Sequence, residues 1–327
     1  MNGAISAIAG YVPERCITND ELARSVSTSD EWIVSHTGIR ERRIAPPDQA
    51  SSDLGIEAGK RVLARRNIAA TEVDLVIAAT STPDYAPFPA TAAVIQDRLG
   101  CTDAGAFDLQ AGCTGFVYAL DVARALVVAG SKERVLVVGT EKLSSITDWS
   151  DRSTCVLFGD GAGAAIVEAH GPGNHEILTS ELHADGAGDD ALIREVGGTR
   201  RPYEAGKDTE GDTKLRMDGK RVYLFAVDAI VKTIRKLCDK QGLRVEALDW
   251  IVPHQANLRI IEAAAKRLSV PVERFYTNLD RYANTSAASI PLALEEMEGR
   301  DLLSPDMLLL SVGFGAGLTY GGNIIRW

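Results

Sequence analysis

A cysteine set between a strand and a helix is the first residue in this sequence whose surroundings suggest chemistry. Cys113 follows Ala111-Gly112 at the end of "FDLQAG", and "TGFVYALDVARALVVAG" reads as a helix that begins near Thr114 and closes at Gly130. A sulfur at that point meets free amide groups and the positive end of the helix dipole, and both favour a thiolate. Phe116, Val117, Ala119, Leu120, Val122 and Leu126 make the helix apolar on nearly every face. That pattern predicts a helix buried inside the molecule, holding the cysteine rigidly at the inner end of a pocket. The plainer account of any cysteine is a small buried hydrophobe. Cys16, Cys101, Cys155 and Cys238 stay under it, since none combines a glycine-flanked turn with a helix start.

His254 lies in "DWIVPHQANLRII", just after a strand-like run and before a helix that begins near Asn257. The carboxyl ends of strands are where α/β proteins hold their ligands, although a histidine there also serves for capping or packing. Asn284, in "DRYANTSAASIPLALEEM", likewise opens a helix after a turn. It reads either as an N-cap or as an amide donor aimed into a cleft. Thiol, imidazole and carboxamide together suit covalent acyl transfer, in which a thiolate accepts the acyl group. Two neutral donors would also stabilise the charge that builds on the carbonyl of a malonyl thioester as it loses carbon dioxide. Cysteine proteases use the same three residue types, with histidine activating the cysteine and asparagine orienting the histidine. Residue order does not separate these readings, but no local protease signature is present.

Two glycine-rich stretches lie nearby in the chain. "FGDGAGAAIVEA" (158–169) has a dinucleotide-like glycine spacing, but a strand-like run follows it instead of a helix, so close backbone packing is the better account. "SVGFGAGLTYGG" (311–322) supplies a turn after a strand. Its backbone N–H groups around Gly315 and Ala316 would complete an oxyanion hole with the N–H of Cys113, or the stretch is a structural hairpin.

The elements that must position these residues alternate in kind. Apolar runs at 73–80, 134–140, 164–169, 248–253 and 306–313 read as strands covered on both faces, with longer helical patterns between them. The order of signals repeats at long range: Asp74/Asp249, Leu99/Leu268 and Val135/Leu308 are displaced by 175, 169 and 173 residues. This predicts two copies of one βα series, residues 1–172 and 173–327, joined near the breaker cluster Gly171, Pro172, Gly173 and Asn174. A polar, glycine-rich stretch at 196–214 reads as a mobile loop at a substrate entrance.

Composition bounds the function. The 327 residues are 45% hydrophobic and 24% charged, enough for a substantial core, and no apolar run approaches a membrane span or a secretion signal. A cytoplasmic location is expected. Five cysteines without a CxxC pair, beside five histidines, suggest neither a disulfide framework nor a zinc site. A formal charge of -10 argues against nucleic-acid binding and means that an acidic partner would need a local basic patch.

Six segments in order carry a resemblance over almost the whole chain: "TSDEWIVSHTGIRERR" (28–43), "AGCTGF" (111–116), "DRSTCVLFGDGAGAA" (151–165), "VPHQANLRII" (252–261), "NTSAASIP" (284–291) and "GFGAGLTYG" (313–321). The chain resembles β-ketoacyl-acyl-carrier-protein synthase III, a condensing-enzyme family. The resemblance implies an α/β thiolase-like fold of five αβαβα layers built from two pseudo-symmetric halves, as a homodimer. It implies that Cys113 takes an acyl group from acyl-CoA, and that His254 and Asn284 support decarboxylation of malonyl-acyl-carrier protein. The carbanion so formed attacks the acyl-enzyme, with no metal or redox cofactor. By the same resemblance Trp32 and Arg152 sandwich the adenine of CoA with Thr37 and Tyr223 nearby, Ala256 and Asn257 contact its pantetheine arm, and Phe88 limits acyl-pocket depth across a dimer interface, favouring a short starter. A planar guanidinium and an indole suit a flat base. Arg259, Lys266 and Arg267 form one basic helix face, either merely solvated or the patch an acidic carrier protein requires.

Departures from the family pattern are His36 for a common arginine, Leu224 for a common basic residue, Ala283 for a common glycine, and a long 196–214 loop. A related acyltransferase or polyketide starter enzyme, passing the Cys-bound acyl group to another nucleophile, is the nearest rival reading. A catalytically silent acyl-binding protein is a more distant one.

Overall fold

The computed structural model describes residues 2–169, 171 and 173–327. Nine strands form one sheet: β1 (Gly3–Tyr11), β2 (Leu75–Ala79), β3 (Gly105–Leu109), β4 (Arg134–Lys142), β5 (Asp160–Ala169), β6 (His175–Ala184), β7 (Trp250–Pro253), β8 (Leu308–Gly315) and β9 (Thr319–Arg326). The principal helices are α1 (Asp30–Thr37), α2 (Ser51–Arg66), α3 (Thr91–Leu99), α4 (Gly115–Val128), α5 (Gly219–Lys240), α6 (Leu258–Leu268) and α7 (Ser289–Gly299). All five apolar runs read as strands form them, as β2, β4, β5, β7 and β8. The predicted join falls between β5 and β6, and its residues 170 and 172 lie outside the described residues.

The strand order is β7-β8-β9-β6-β1-β5-β4-β2-β3. On one side β3, β2 and β4 are parallel, and β4–β5 and β5–β1 are antiparallel. On the other, β7–β8 is parallel, and β8–β9 and β9–β6 are antiparallel. A parallel bridge from Ile251 to Phe275 stands where β3 stands beside β2. The correspondence extends to single hydrogen bonds: the Asp74 carboxylate accepts from the Arg134 N–H at 2.8 Å, and the Asp249 carboxylate accepts from the Leu308 N–H at 2.8 Å.

Alternation along each strand makes the layers. On β4, Val135 and Val137 face α4 and α7, while Leu136 and Val138 face α2 and α3. On β8, Leu309 faces the central helices, and Leu310 and Val312 face α5 and α6. The succession is therefore α2/α3, the β3-β2-β4-β5-β1 part of the sheet, α4/α7, the β7-β8-β9-β6 part, α5/α6. Helix α4 is central because its sequence is apolar around the circumference. Phe116 and Leu120 are fully buried, each worth roughly 1.5–3 kcal/mol. No helix among the described residues is long and apolar enough to cross a membrane.

The two sides of the molecule meet closely at two turns. A short turn, Ser286–Ala288, precedes α7 and presses on β4 at Gly139, where an added Cβ would lie 2.4 Å from the Ala287 carbonyl oxygen. Just upstream, Ala283 adopts φ 57° and ψ -156°, a region that suits glycine and costs another residue about 1–3 kcal/mol. The methyl group that distinguishes this chain from its family pattern is thus accommodated at the expense of backbone strain. Two substitutions should move stability in opposite directions. Gly139→Ala must displace backbone, so urea denaturation should show a loss of about 2–3 kcal/mol. Ala283→Gly should raise stability by about 1 kcal/mol, the relief of strain less the entropy of the added freedom.

Candidate active site

Cys113 occupies a single tight turn, Gly112–Thr114, ahead of α4. Gly112 has φ 53°, and a Cβ there would meet the Ala316 nitrogen and oxygen at 3.0 Å. Gly315, at the end of β8, is packed so closely that a Cβ would lie 2.6 Å from the Cys113 nitrogen. No side chain caps α4, so its first-turn amides remain directed at the cysteine turn.

His254 follows β7, and its N–H donates to the Val312 carbonyl at 2.8 Å. The ring is buried, meets Phe314 edge to face with centroids 5.1 Å apart, and places Nδ1 2.7 Å from Ser289 Oγ. Asn284 is stitched in as a strand would be: its N–H donates to Leu157 at 2.9 Å, and its carbonyl accepts from Gly159 at 3.0 Å. Its side-chain Oδ1 accepts from the Ser286 N–H at 2.8 Å, which commits the carbonyl end of the amide and leaves Nδ2 as a donor. Cys113, His254, Asn284, Phe314 and Gly315 line one cavity of about 300 Å³.

The cavity is lined mostly by apolar surface, and at its inner end burial governs the charges. Burial pushes the Cys113 thiol up to about 12; a hydrogen bond from Ser286 opposes the rise and the negative charge of Glu141 adds to it. The helix start favours a thiolate, and loss of hydration opposes it. Burial lowers His254 to about 3, so the imidazole is neutral.

The cavity also receives Trp32, Thr37, Arg152, Tyr223, Ala256 and Asn257. The Arg152 guanidinium lies 4.6 Å from the Trp32 ring centre, and the His36 ring stacks on the same indole at 4.3 Å. A flat base entering between Arg152 and Trp32 must therefore part them. Thr37 spends its hydroxyl on the Ile33 carbonyl at the end of α1, and Asn257 is the N-cap of α6, accepting from Arg259 N and donating to the His36 carbonyl. His36, the first departure, supports Trp32 from beneath; Leu224, the second, projects into solvent. The 196–214 stretch is held by its own contacts, including Arg201 with Glu195 and Asp208, while Leu192 and Met217 at its flanks line the cavity.

Other expected residues lie elsewhere. Ala316 packs against Gly112, and it is Gly315 that lines the cavity. Phe88 is 79% exposed and is not part of its own chain's cavity. Arg259, Lys266 and Arg267 lie exposed on α6, with Arg267 paired to Asp228 and its carbonyl accepting from Arg235. Sequence reasoning missed Arg235, Phe314, Ser286, Ser289 and the buried Glu141. The two serines stood in the quoted "NTSAASIP", at a spacing that turns both toward one side of a helix start. No group of three or more His, Cys, Asp or Glu side chains suited to a metal occurs among the described residues.

Comparison with known proteins agrees with this geometry. The profile described as 3-oxoacyl-[acyl-carrier-protein (ACP)] synthase III matches residues 107–186, and that of its C-terminal part matches residues 238–327. A β-ketoacyl-[acyl-carrier-protein] synthase III of Caldanaerobacter subterraneus is 46% identical over 99% of this chain and 97% of its own. The crystal structure of the Thermus thermophilus β-ketoacyl-[acyl-carrier-protein] synthase III superposes with a TM-score of 0.91 at 46% identity, covering 99% of each chain. A priming β-ketosynthase from the R1128 polyketide pathway superposes at 0.90 with 36% identity, covering 99% of this chain and 96% of its own. The chain belongs to the 3-oxoacyl-[acyl-carrier-protein] synthase III family of condensing acyltransferases.

Proposed function

We propose that this protein condenses a short acyl-CoA with malonyl-acyl-carrier protein, releasing carbon dioxide and forming the β-ketoacyl-carrier protein that starts a fatty acid chain. The observation that carries the reading is the convergence of Cys113, His254 and Asn284 on one largely apolar cavity. In the first half-reaction the Cys113 sulfur attacks the thioester carbonyl, and CoA leaves as its thiolate. The N–H groups of Cys113 and of the glycine turn at Gly315–Ala316 are the candidates to hold the oxyanion.

In the second half-reaction the malonyl carboxylate departs as carbon dioxide, and negative charge moves onto the thioester oxygen. Asn284 Nδ2 is free to donate to that oxygen because Oδ1 is already committed to Ser286. The Ser289 hydroxyl has one proton and two acceptors, His254 Nδ1 at 2.7 Å and the Ser286 carbonyl at 2.8 Å. In this geometry the proton lies toward the Ser286 carbonyl; turned to Nδ1, it would leave Nε2 protonated as the second donor. Neither donor carries charge, so neither must be desolvated as an ion before the reaction begins. The enolate then attacks the acyl-Cys113 carbonyl, and the sulfur leaves.

Trp32, Arg152, Thr37, Tyr223, Ala256 and Asn257 form the proposed CoA site, and Arg259, Lys266 and Arg267 with Arg235 the carrier-protein patch. Phe88 and Tyr85, both exposed, form the proposed contact with a second copy, where Phe88 would close that copy's acyl pocket and select a short starter. The two proposed halves, 1–172 and 173–327, repeat the same strand senses. Five free cysteines suit a reducing cytoplasm, and the reaction as written balances without a cofactor.

Intact-protein mass tests the reading directly: acetyl-CoA should add one acyl group, and Cys113→Ala should abolish it. With malonyl-carrier protein present, His254→Ala should slow carbon dioxide release by about 10²–10³-fold while acylation is largely kept. Acylation without carbon dioxide release in the unaltered enzyme would instead indicate transfer to another nucleophile.

The state of His254 has a second consequence. The folded protein releases this proton at about 3, whereas an unfolded imidazole holds it up to about pH 6.5. The unfolded state therefore binds more protons across that window, so stability is full above it and is lost as pH falls. In His254→Asn the melting temperature should depend less on pH in that range; an unchanged slope would mean that the imidazole is not buried neutral.

A further inference from the structure

The oxyanion site proposed for Cys113 is assembled from two turns that lie far apart in the chain, the cysteine turn Gly112–Thr114 and the Gly315–Ala316 turn at the end of β8. Packing brings them together: a Cβ on Gly315 would lie 2.6 Å from the Cys113 nitrogen, and one on Gly112 would lie 3.0 Å from the Ala316 nitrogen. Contact of this kind sets a distance and leaves the direction of the N–H groups open. Direction matters, because a hydrogen bond weakens steeply once its angle falls below about 120°. Neither the Cys113 nor the Ala316 N–H donates to a backbone acceptor among the described residues. Some other interaction must hold the two turns at a fixed angle.

One side chain bonds to both. Thr319 opens β9, opposite Gly315 in the hairpin. Its Oγ1 lies 2.7 Å from the Ala111 carbonyl oxygen, 208 residues away in sequence, and 3.1 Å from the Ala316 carbonyl oxygen. With one proton between two carbonyls, the hydroxyl makes a three-centre bond. The Ala111 carbonyl also accepts from the Thr114 N–H at 3.1 Å, the bond that closes the cysteine turn. Fully buried Thr114 backs the arrangement, its Oγ1 3.1 Å from Thr319 Oγ1 and 3.2 Å from the Thr319 carbonyl oxygen. Peptide planes are rigid, so tying the carbonyls of Ala111 and Ala316 to one oxygen limits the rotation of both turns. Valine has the shape of threonine and suits a strand equally well, so what the hydroxyl adds here is these bonds. We propose that Thr319, backed by Thr114, is a positioning residue that aims the N–H groups of Cys113 and of the Gly315–Ala316 turn at one point, the carbonyl oxygen of the acyl group. The inference rests on the reading of Cys113 as the acyl acceptor.

The consequence falls on the first half-reaction. As the Cys113 sulfur forms its bond to the acyl carbon, the carbonyl electron pair moves onto oxygen. As that pair returns, the bond to CoA breaks, and CoA departs as its thiolate and takes up the proton that the Cys113 thiol gave up. The oxygen anion gains from donors aimed at its own position and little from donors aimed elsewhere. Between the half-reactions the acyl-enzyme carbonyl rests beside the same donors, so the strength of its double bond reports their aim without any turnover. Thr319 does not line the cavity; it acts through the two turns. Removing its hydroxyl orphans no buried group, since Ala111 keeps its bond from the Thr114 N–H, Thr114 Oγ1 keeps the Thr319 carbonyl, and Ala316 is half-buried.

Two measurements on the full chain test the assignment: the rate of acylation by acetyl-CoA in quenched flow, and the infrared carbonyl stretch of the acetyl-enzyme made from acetyl-CoA isotope-labelled at its carbonyl. In Thr319→Val, acylation at saturating acetyl-CoA should slow by about 10–10²-fold with the half-saturating concentration little changed. The stretch should move to higher wavenumber as the carbonyl loses its donors. Thr319→Ser, which keeps the hydroxyl, should retain the unaltered rate and stretch. Thr319→Ala replaces the valine variant should a second methyl group disturb folding, and it should give the same pair of changes. A folded valine or alanine variant with an unaltered rate overturns the proposal, and so does a slower one with an unaltered stretch, the mark of a general structural role. A serine variant that behaves like valine overturns it as well. If no variant lacking the hydroxyl folds, the hydroxyl serves the fold and not the aim of the turns, and the proposal fails. Absence of any acetyl group on Cys113 in the unaltered protein would instead reject the proposed nucleophile, a result distinct from failure at Thr319.

Discussion

The active site depends on one close approach of backbone to backbone. The turn that opens α7 rests on β4 at Gly139, with no room between the Ala287 carbonyl and the strand for even a methyl group. This contact brings Asn284, Ser286 and Ser289 over a cysteine that belongs to a different part of the chain. A reciprocal contact exists across the molecule: Gly313 of β8 receives the turn that opens α4, where an added Cβ would meet Thr114 at 3.1 Å. Each central strand therefore carries a glycine at the point where the other side's helix begins. Neither helix start can shift without moving the strand that carries residues of the opposite side, so packing places the reacting side chains and the bonds of His254 to Ser289 and of Asn284 to Ser286 orient them.

The sequence disclosed the helix start at Cys113, the strand ahead of His254 and the turn at Asn284 because each is a local signal: a change of hydrophobic period beside glycine or asparagine. The long-range echo of Asp74 in Asp249 was legible for the same reason, since both carboxylates accept from the N–H that opens the neighbouring central strand. What stayed hidden depends on three-dimensional company. Glu141 looks in sequence like the polar residue that ends a strand, and only the layer above it makes it a buried carboxyl. Phe314 reads as one more apolar residue of β8 until its ring meets His254. The helix start at Cys113 favours a thiolate while burial opposes it, and a one-dimensional reading gives the dipole but not the amount of water excluded. Phe88 was assigned from resemblance alone, and a single chain gives it nothing to contact.

Burial moves the ionisable groups at and beneath the inner end of the cavity in opposite directions on the pH scale. Glu141 retains its proton to higher pH than in water, Cys113 likewise, and His254 gives its proton up far earlier. Each shift favours the neutral form. At the inner end of the cavity burial thus favours the neutral forms of Cys113 and His254. In such surroundings a new negative charge on a thioester oxygen feels the His254 and Asn284 donors strongly, because little solvent stands between to weaken them.

The repeated frame also explains why the two sides contribute different chemistry from matching places. Cys113 and Ala287 occupy the middle of equivalent turns, Gly112–Thr114 and Ser286–Ala288, before equivalent central helices. Ala79 and His254 hold corresponding places at the ends of β2 and β7, and Glu141 and Gly315 corresponding places on β4 and β8. One side supplies the nucleophile and the buried carboxyl; at the same places the other has an alanine methyl and a glycine. A second carboxyl at 315 would fall on Cys113 itself, since even a Cβ there would lie 2.6 Å from the Cys113 nitrogen. The pseudo-symmetry that builds the cavity therefore forbids a symmetric site. One turn holds the reacting sulfur, and the other is reduced to small side chains that can lie over it.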